Sequence, residues 1–577
     1  MDCAVNIQSE EYMELLTDYV LPDAEAISQY RAANGFPTGE DDYCYAAIDG
    51  RYGVIYLKRE GMPELNLVNY TYGAIPKLYG LMQDQFDTTS LVNSGILQTQ
   101  RPPLSLTGRG VVIAFIDSGI RYQEDVFRDA AGNSRILAIW DQTDQNGTSP
   151  EGFSYGSEYT REDINRALQS DDPLSVVPVT DPIGHGTNMA AVAAGSNLNN
   201  GIDYLGAAPD CDIVMVKCKP AKQYLRDYYL LADDAVAFAE SDIMLALEYV
   251  ESFVIQAKRP VVICLGIGTN MGDHAGNSLL DGYLDSIAIR RSRGIVVCGG
   301  TEGNTAHHFQ GTVRNLGNGR GAVSAEIRVT EGNPGFTMEF WGNAPNLFLV
   351  DIRSPGGEML NNIGGGLGKS VQYSFLYDKT VIQADSVLVE RNSGNELIFF
   401  KFISPTPGIW TIRVYSVREV FNGVFHMWLL INEFLENSTY FLEPTAYVTL
   451  TEPGMADEVL TVSTYSAYNN SFYAESGRGF SRTDRIKPEI AAPGVDISTP
   501  FGVSSGSSLA AAMTAGAVAQ FMQWAEIEEN QPLVESREIK SIMIRRAVRD
   551  SGSNYPSREW GYGRLRVTGA FDAIAGF

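Results

Sequence analysis

A run of small and apolar residues near the end of the chain constrains the fold most. The segment 510–519, AAAMTAGAVA, contains almost no polar atoms. Such a composition is typical of a helix that is buried on all sides. The turn that precedes it, SSGSS at 504–508, consists of small residues. The sequence therefore predicts that Ser508 lies in the first turn of a buried helix.

Ser508 can have two roles at such a position. Serine is a common N-cap residue, because its side-chain oxygen accepts a hydrogen bond from a free N–H group of the first turn. It can also be a nucleophile, whose developing negative charge the helix N-terminus favours. The residues around Ser508 do not decide between these roles, so the evidence must come from elsewhere in the chain.

The overall composition limits the class of protein. A chain of 577 residues is expected to form two to four units. Its content of 44% hydrophobic and 10% aromatic residues is that of a packed globular protein. The net charge of −27 argues against nucleic acid as a partner.

The cysteines and the first residues of the chain favour a reducing compartment inside the cell. None of the six cysteines forms a CxxC pair, so a zinc knuckle is not expected, and free buried thiols are typical of a reducing compartment. The first residues have neither the basic region nor the apolar segment of a signal peptide. No apolar run reaches 18 residues, so no membrane span is expected.

Residues 1–83 are predicted to form a separate α+β unit. The segment 10–16 is predicted as helix, and the segments 42–49 and 52–57 as a hairpin around Gly50 and Arg51. The segment 74–84 is predicted to be extended, because Pro76 and Gly80 disfavour helix. This unit is either an ordinary N-terminal domain or a propeptide whose tail lies in a substrate groove.

Two upstream segments carry candidate catalytic side chains. The β-branched run 111–116, VVIAFI, predicts a strand buried on both faces, and Asp117 follows it. Open α/β sheets place their functional sites at this end of a strand, although an aspartate there can also cap a helix. His185 lies between two glycines at the start of a small-residue helix, and the chain has only five histidines. It is therefore a candidate base near neutral pH.

Three short blocks, DSG at 117–119, HGT at 185–187 and GSSLA at 506–510, resemble the signature blocks of subtilisin-like serine proteases in the family's order. GAAP at 206–209 and KPEIAAPG at 487–494 also match. The resemblance implies an α/β fold, a parallel sheet with helices on both faces. It implies Ser508 as nucleophile, His185 as general acid and base, and Asp117 as the carboxylate that orients the imidazole.

The same resemblance suggests a substrate groove and an oxyanion site. Gly266, Ile267 and Gly268 match the strand that lines the groove, where an extended peptide adds by β-pairing. A core strand that ends in a glycine turn is the alternative. Thr301 stands where the family has an asparagine that binds the oxyanion, and its hydroxyl donates from a shorter side chain. The Ser508 backbone N–H is the second expected donor, and Asn304 would replace Thr301 only if the loop were re-formed.

Short alternating strands between 310 and 449 predict an inserted β-sandwich. This layout resembles the Csp-type subtilases of clostridial spore germination. The resemblance implies a prodomain at 1–83, a catalytic domain at 84–309 and 450–577, and a jelly roll at 310–449. It also implies self-cleavage near Met82, Gln83 and Asp84, a prodomain retained in the groove, and a protein precursor as substrate.

Several expectations complete this picture. No cofactor and no metal are expected; His307 and His308 are interpreted as loop residues, and the acidic pairs at 171–172 and 233–234 either bind calcium or face solvent. The expected location is the cytoplasm or a bacterial spore, without a signal peptide. Two alternatives stay open, namely a pseudoprotease or slow protease that acts as a binding scaffold because of Thr301, and a housekeeping subtilase unrelated to spores.

Overall fold

The computed structural model describes residues 3–37, 43–81, 90–197, 204–316, 319–366, 368–416, 418–435 and 439–574. The N-terminal unit consists of α1 (Cys3–Gln8), β1 (Tyr12–Thr17), α2 (Ala24–Ala33), β2 (Tyr43–Ile48), β3 (Tyr52–Lys58) and β4 (Leu78–Leu81). Strands β1, β3 and β2 form an antiparallel sheet in that order. β4 lies outside this sheet and pairs with the catalytic unit.

The helix predicted over residues 10–16 is wrong, because these residues belong largely to β1. All six residues of β1 are buried. Met13 and Leu15 face one hydrophobic cluster, and Leu16 faces another. A strand that is covered on both faces lacks the alternation of polar and apolar residues that identifies a strand in a sequence.

The expectation of free thiols is wrong for two of the six cysteines. A disulfide bond joins Cys3 in α1 to Cys44 in β2, with 5.7 Å between their Cα atoms. Cys211, Cys218, Cys264 and Cys298 are free and buried. The disulfide therefore belongs to the N-terminal unit, and the free thiols belong to the catalytic unit.

The first part of the catalytic unit alternates strands with helices. Its strands are β5 (Val112–Asp117), β6 (Ile136–Asp141), β7 (Ser157–Thr160), β8 (Ser196–Asn197), β9 (Tyr204–Leu205), β10 (Asp212–Lys217), β11 (Phe238–Ala239), β12 (Val261–Leu265), β13 (Ile267–Gly268) and β14 (Arg293–Cys298). Its helices are α3 (Ser90–Asn93), α4 (Ile96–Gln100), α5 (Arg161–Leu168), α6 (His185–Ala194), α7 (Gln223–Tyr229), α8 (Glu240–Ala257) and α9 (Leu279–Ala288).

The inserted unit is all-β, as predicted. Its strands are β15 (His308–Thr312), β16 (Asn315–Leu316), β17 (Gly319–Arg320), β18 (Ala322–Val329), β19 (Gly335–Gly342), β20 (Phe348–Arg353), β21 (Met359–Gly364), β22 (Lys369–Ser374), β23 (Val381–Val387), β24 (Glu396–Ile403), β25 (Gly408–Ser416), β26 (Val424–Leu429) and β27 (Tyr440–Phe441). A six-stranded sheet, β15-β26-β19-β24-β23-β22, and a five-stranded sheet, β21-β20-β25-β18-β27, enclose one aromatic core.

The last part of the chain completes the catalytic unit. It contains β28 (Leu460–Ser466), β29 (Ser471–Phe472), β30 (Ile490–Pro493), β31 (Ile497–Thr499), β32 (Gly502–Ser504), α10 (Ser507–Met522), α11 (Ser536–Arg545) and α12 (Val567–Ile574). The central sheet has the order β29-β28-β14-β12-β5-β10-β6-β7, and β30 also pairs with β28. Only β7 and β29 run antiparallel to their neighbours in this sheet.

Helices cover both faces of the central sheet, as predicted. Ile113 and Phe115 of β5 share a core cluster with α6 and α10. Val112, Ala114 and Ile116 share the other cluster with α8 and α9. The predicted central helix is α10, all 16 residues of which are buried. None of the described helices is long and apolar enough to cross a membrane.

The inserted unit packs against the other two. Phe399 of β24 stacks on Tyr228 of α7, with 5.3 Å between the ring centroids. Tyr72 of the N-terminal unit donates a hydrogen bond of 2.8 Å to the buried carboxylate of Glu339 in β19. The three units therefore share buried contacts, both apolar and polar.

Candidate active site

Asp117 and His185 form a buried pair at one end of the central sheet. Asp117 is the last residue of β5, and His185 is the first residue of α6. Nδ1 of His185 lies 2.7 Å from Oδ1 and 2.9 Å from Oδ2 of Asp117. Both side chains are about 1% exposed. A carboxylate in this position fixes the tautomer and orientation of the imidazole, so that Nε2 faces away from it.

Glycines allow this approach. A Cβ on Gly186 would lie 2.3 Å from the carbonyl oxygen of Gly119 and 3.0 Å from Oδ1 of Asp117. Gly184, before the histidine, has a φ of +84°, which residues with a side chain rarely adopt. The two glycines around His185 are therefore required by close packing and by backbone conformation.

Asp181 organises the loop that carries His185, and the sequence analysis missed it. Its Oδ1 accepts hydrogen bonds from the Gly184 N–H (2.8 Å) and the Ser118 hydroxyl (2.9 Å). Its Oδ2 accepts from the N–H (3.0 Å) and hydroxyl (2.6 Å) of Thr187. Asp181 thus ties the end of β5 to the start of α6. Its place just before the turn that opens a helix was the available signal.

Ser508 lies in the first turn of α10, and its side chain is buried. A Cβ on Gly266 would lie 2.9 Å from Cβ of Ser508 and 2.2 Å from Sδ of Met189. Met189 is one helical turn after His185 on α6, so the start of α10, α6 and Gly266 meet at one point. Nε2 of His185 is buried and has no hydrogen-bond partner among the described residues. The structure therefore gathers all three predicted catalytic residues at the same edge of the sheet.

Thr301 follows β14 at this edge and is 8% exposed. Gly300 before it has a φ of +81° and packs against Thr451. Burial raises the pKa of Cys298, the last residue of β14, to about 12, and β14 packs against α10. The end of β14 is thus close to the start of α10. Asn304 is exposed.

Two of the three predicted groove residues, Ile267 and Gly268, pair with the N-terminal unit. β4 is the central strand of a three-stranded antiparallel sheet, between β11 and β13. On one side Leu81 lies opposite Ile267 and Gly80 opposite Gly268, and on the other side Tyr79 lies opposite Phe238. The predicted self-cleavage residues Met82, Gln83 and Asp84 lie outside the described residues.

The interpretation of His308 as a loop residue is wrong, because it is the first residue of β15. Its Nε2 lies 3.0 Å from Nδ1 of His426, and the rings of His274, His308 and His426 stack with Trp428. Burial lowers the pKa of His308 to about 3 and that of His274 to about 4. These rings are therefore neutral packing elements at the junction with the insertion.

His307 lies in the turn before β15, and its Nδ1 is 2.8 Å from Oε2 of Glu302. Within the described ranges, no group of three or more His, Cys, Asp and Glu side chains has an arrangement suited to a metal ion. The acidic pairs at 171–172 and 233–234 are exposed.

The comparisons with known proteins give the class. The model of the subtilase family (Peptidase S8) matches residues 108–325 and 436–563, which is more than half of the chain. The chain therefore belongs to the subtilase family, and it is a subtilisin-like serine protease. No significant match was found among curated protein sequences.

Among solved structures, the chain is similar to the CspB protease of Clostridium perfringens. The two are 29% identical with a TM-score of 0.74, over 85% of this chain and 99% of that one. The prenylagaramide maturation protease PagA (12% identity, TM-score 0.39, 84% of this chain and 99% of that one) and the protease MycP1 of a type VII secretion system (12%, 0.35, 85% and 92%) also match. The predicted resemblance to Csp-type subtilases is thus confirmed.

Proposed function

We propose that this chain is a serine endopeptidase that cleaves its own N-terminal unit, retains that unit in its groove, and then activates a protein precursor. The observation that carries the proposal is the pairing of β4 with Ile267 and Gly268. This strand leads toward Gly266, which abuts Ser508. A segment that pairs along both walls of the groove is bound as a substrate would be.

The catalytic cycle follows from the site. His185 removes the proton of the Ser508 hydroxyl, and the oxygen attacks the carbonyl carbon of the scissile bond. Asp117 stabilises the imidazolium through the hydrogen bond to Nδ1. The backbone N–H of Ser508 and the hydroxyl of Thr301 donate to the oxyanion. His185 then protonates the leaving amine, and water hydrolyses the acyl-enzyme in the reverse sequence of proton transfers.

The direction of β4 defines where self-cleavage is expected. Gly80 lies opposite Gly268 and Leu81 lies opposite Ile267, so β4 runs in the direction in which the catalytic strand approaches Gly266. Because Gly266 abuts Ser508, the cleaved bond is expected within a few residues after Leu81, in the range of Met82, Gln83 and Asp84. The N-terminal unit of 1–83 would then remain bound through its own pairing.

The kind of substrate rests on the resemblance to Csp-type proteases. CspB is a clostridial protease, and its similarity covers most of this chain. We therefore infer a bacterial enzyme of the spore that activates the precursor of a cortex-degrading hydrolase during germination.

Intact mass after purification tests the proposal. The wild-type chain is expected as two fragments that co-purify, with the break shortly after residue 81, and Ser508→Ala as one uncut chain. Ser507→Ala is the matched control, because it changes the adjacent serine of the same helix turn, and it should be cut. Cleavage that persists in Ser508→Ala would contradict the proposal. An uncut wild-type chain whose Ser508 also fails to react with a fluorophosphonate would favour the binding scaffold.

A further inference from the structure

Lys77, one residue before β4, is a buried cation. Its Nζ lies 3.2 Å from Oε2 of Glu240, and the two side chains are 1% and 0% exposed. The backbone N–H of Lys77 donates to the same oxygen at 3.2 Å. The N–H of Glu240 donates in turn to the Lys77 carbonyl at 2.8 Å. One residue of the catalytic unit therefore binds both the main chain and the side chain of Lys77.

Glu240 is positioned for this contact by the groove itself. It is the first residue of α8 and directly follows β11, the groove strand that pairs with β4. Its other oxygen, Oε1, accepts the N–H of Leu280 at 3.3 Å. One oxygen of the Glu240 carboxylate therefore accepts a hydrogen bond from the catalytic unit, and the other oxygen accepts hydrogen bonds from the segment in the groove.

The wall beyond Glu240 is also acidic. Tyr79 is two residues after Lys77, and alternate residues of an extended chain point to the same side. Burial and the charges of Glu240, Asp281 and Glu452 raise the pKa of the Tyr79 phenol well above its usual range. The Tyr79 phenol therefore stays a neutral donor on this side of the groove, where burial beside these acids disfavours a further carboxylate.

A neutral occupant would leave the carboxylate of Glu240 buried without its cation. Removing one partner of a buried ion pair is far more unfavourable than losing an exposed pair, because the remaining charge stays desolvated. A cation–π interaction with the ring of Tyr72, whose centroid is 4.7 Å away, stabilises the Nζ of Lys77 further. The site consequently discriminates lysine from neutral residues strongly.

We propose that Glu240 forms a lysine-binding subsite of the groove, and that it selects the N-terminal segment for self-cleavage by binding Lys77, four positions before the residue that pairs with Ile267. The proposal rests on the proposed function, because it requires that the N-terminal segment is cleaved while β4 lies in the groove. It extends that function by naming a chemical requirement far from the cleaved bond.

Hydrogen exchange in a Ser508→Ala background tests the subsite without requiring catalysis. We expect the amides of β4 to exchange at least tenfold faster in Lys77→Met and in Glu240→Gln than in the parent. Lys58→Met is the matched control, because Lys58 forms an exposed ion pair with Glu60 in the same unit; it should change β4 exchange less than twofold. A change below twofold in Lys77→Met, or an equal change in Lys58→Met, would overturn the proposal.

The rate of self-cleavage during cell-free synthesis, followed by intact mass, tests the role in substrate selection. With Ser508 intact, Lys77→Met should be cut at least tenfold more slowly than wild type, Lys77→Arg should retain more of the rate than Lys77→Met, and Lys58→Met should match wild type. Equal rates for Lys77→Met and wild type would refute selection by Glu240. A wild-type chain that is never cut would instead refute the proposed function, and the exchange experiment would still decide the subsite.

Discussion

Gly80 of the N-terminal unit and Ile431 of the inserted unit approach so closely that a side chain on Gly80 does not fit. A Cβ there would lie 2.6 Å from Cδ1 of Ile431 and 3.2 Å from the ring of Phe434. Gly80 also lies opposite Gly268 in the groove. The insertion therefore covers one side of the groove and limits what can bind there.

Gly80→Leu is expected to displace β4 from the groove. Forcing a large side chain into a packed contact typically costs about 1–3 kcal/mol. In a Ser508→Ala background, hydrogen exchange at Leu78–Leu81 should accelerate at least fivefold. Gly366→Leu is the control, because among the described residues a Cβ on Gly366 meets only Lys369, at 3.6 Å. Unchanged exchange in Gly80→Leu would contradict this prediction and show that the Ile431 side chain moves aside without a measurable cost.

Asp117→Asn is expected to reduce self-cleavage by about 10⁴-fold, as the equivalent change does in other serine proteases. The amide stabilises the wrong tautomer of His185, while the fold persists. The measurement is the rate of self-cleavage, together with the rate of fluorophosphonate labelling at Ser508. Asp171→Asn, at an exposed position, should behave as wild type. A rate for Asp117→Asn within tenfold of wild type would contradict the assigned role.

Substitutions at Thr301 test the oxyanion site. Thr301→Val removes the hydroxyl at nearly constant volume, and the loss of one such donor lowers turnover by about 10²–10³-fold in a related protease. Thr301→Asn should raise the rate above wild type, because its amide reaches further. Both rates are measured by self-cleavage, with thermal unfolding to verify the fold. Equal rates for all three chains would assign the oxyanion to backbone donors alone.

Glu396 of β24 predicts a pH dependence of stability. Burial raises its pKa to about 7, although the N–H groups of Phe348 and Gly365 act in the opposite direction. A raised pKa means that the folded state holds the proton more tightly, so this stabilisation is complete below pH 4.5 and is lost as the pH rises through 7. Glu396→Gln should therefore stabilise the protein at pH 8 by up to about 3 kcal/mol, with little effect at pH 4.

The measurement is the apparent Tm of wild type and variant between pH 4 and pH 8. Glu326→Gln provides the control, since Glu326 is exposed on β18 of the same unit. If the advantage of Glu396→Gln were independent of pH, the buried charge would not be its cause.

The thiol content reports on the disulfide bond. Denatured, non-reduced protein should show four reactive thiols, and reduced protein six. In the native fold the four free cysteines should react slowly, because burial raises the pKa of Cys211, for example, to about 12.

Cys3→Ser removes the disulfide bond, whose two cysteines are 41 residues apart in the chain. It should lower the free energy of unfolding of the N-terminal unit by about 4 kcal/mol. Six reactive thiols before reduction would exclude the bond.

Local sequence was sufficient to predict structure where a residue's conformation and burial depend on its neighbours along the chain. The buried strand before Asp117, the buried helix after Ser508 and the glycines around His185 each have a composition with one favoured structure. The alternating strands of the insertion were predictable for the same reason. The helix predicted at 10–16 failed because β1 is covered on both faces, and such burial is a property of the assembled units.

By itself the sequence determined the family, the order of the candidate catalytic residues and the three kinds of unit, because these depend on short blocks and local periodicity. Only the tertiary structure showed which residues far apart in the chain are in contact. It joined Cys3 to Cys44, tied Asp181 to Ser118, set Lys77 against Glu240 and packed Ile431 over Gly80. Each contact joins residues that are far apart in the chain and that meet only when the chain folds and its units pack, so short blocks and local periodicity do not predict it.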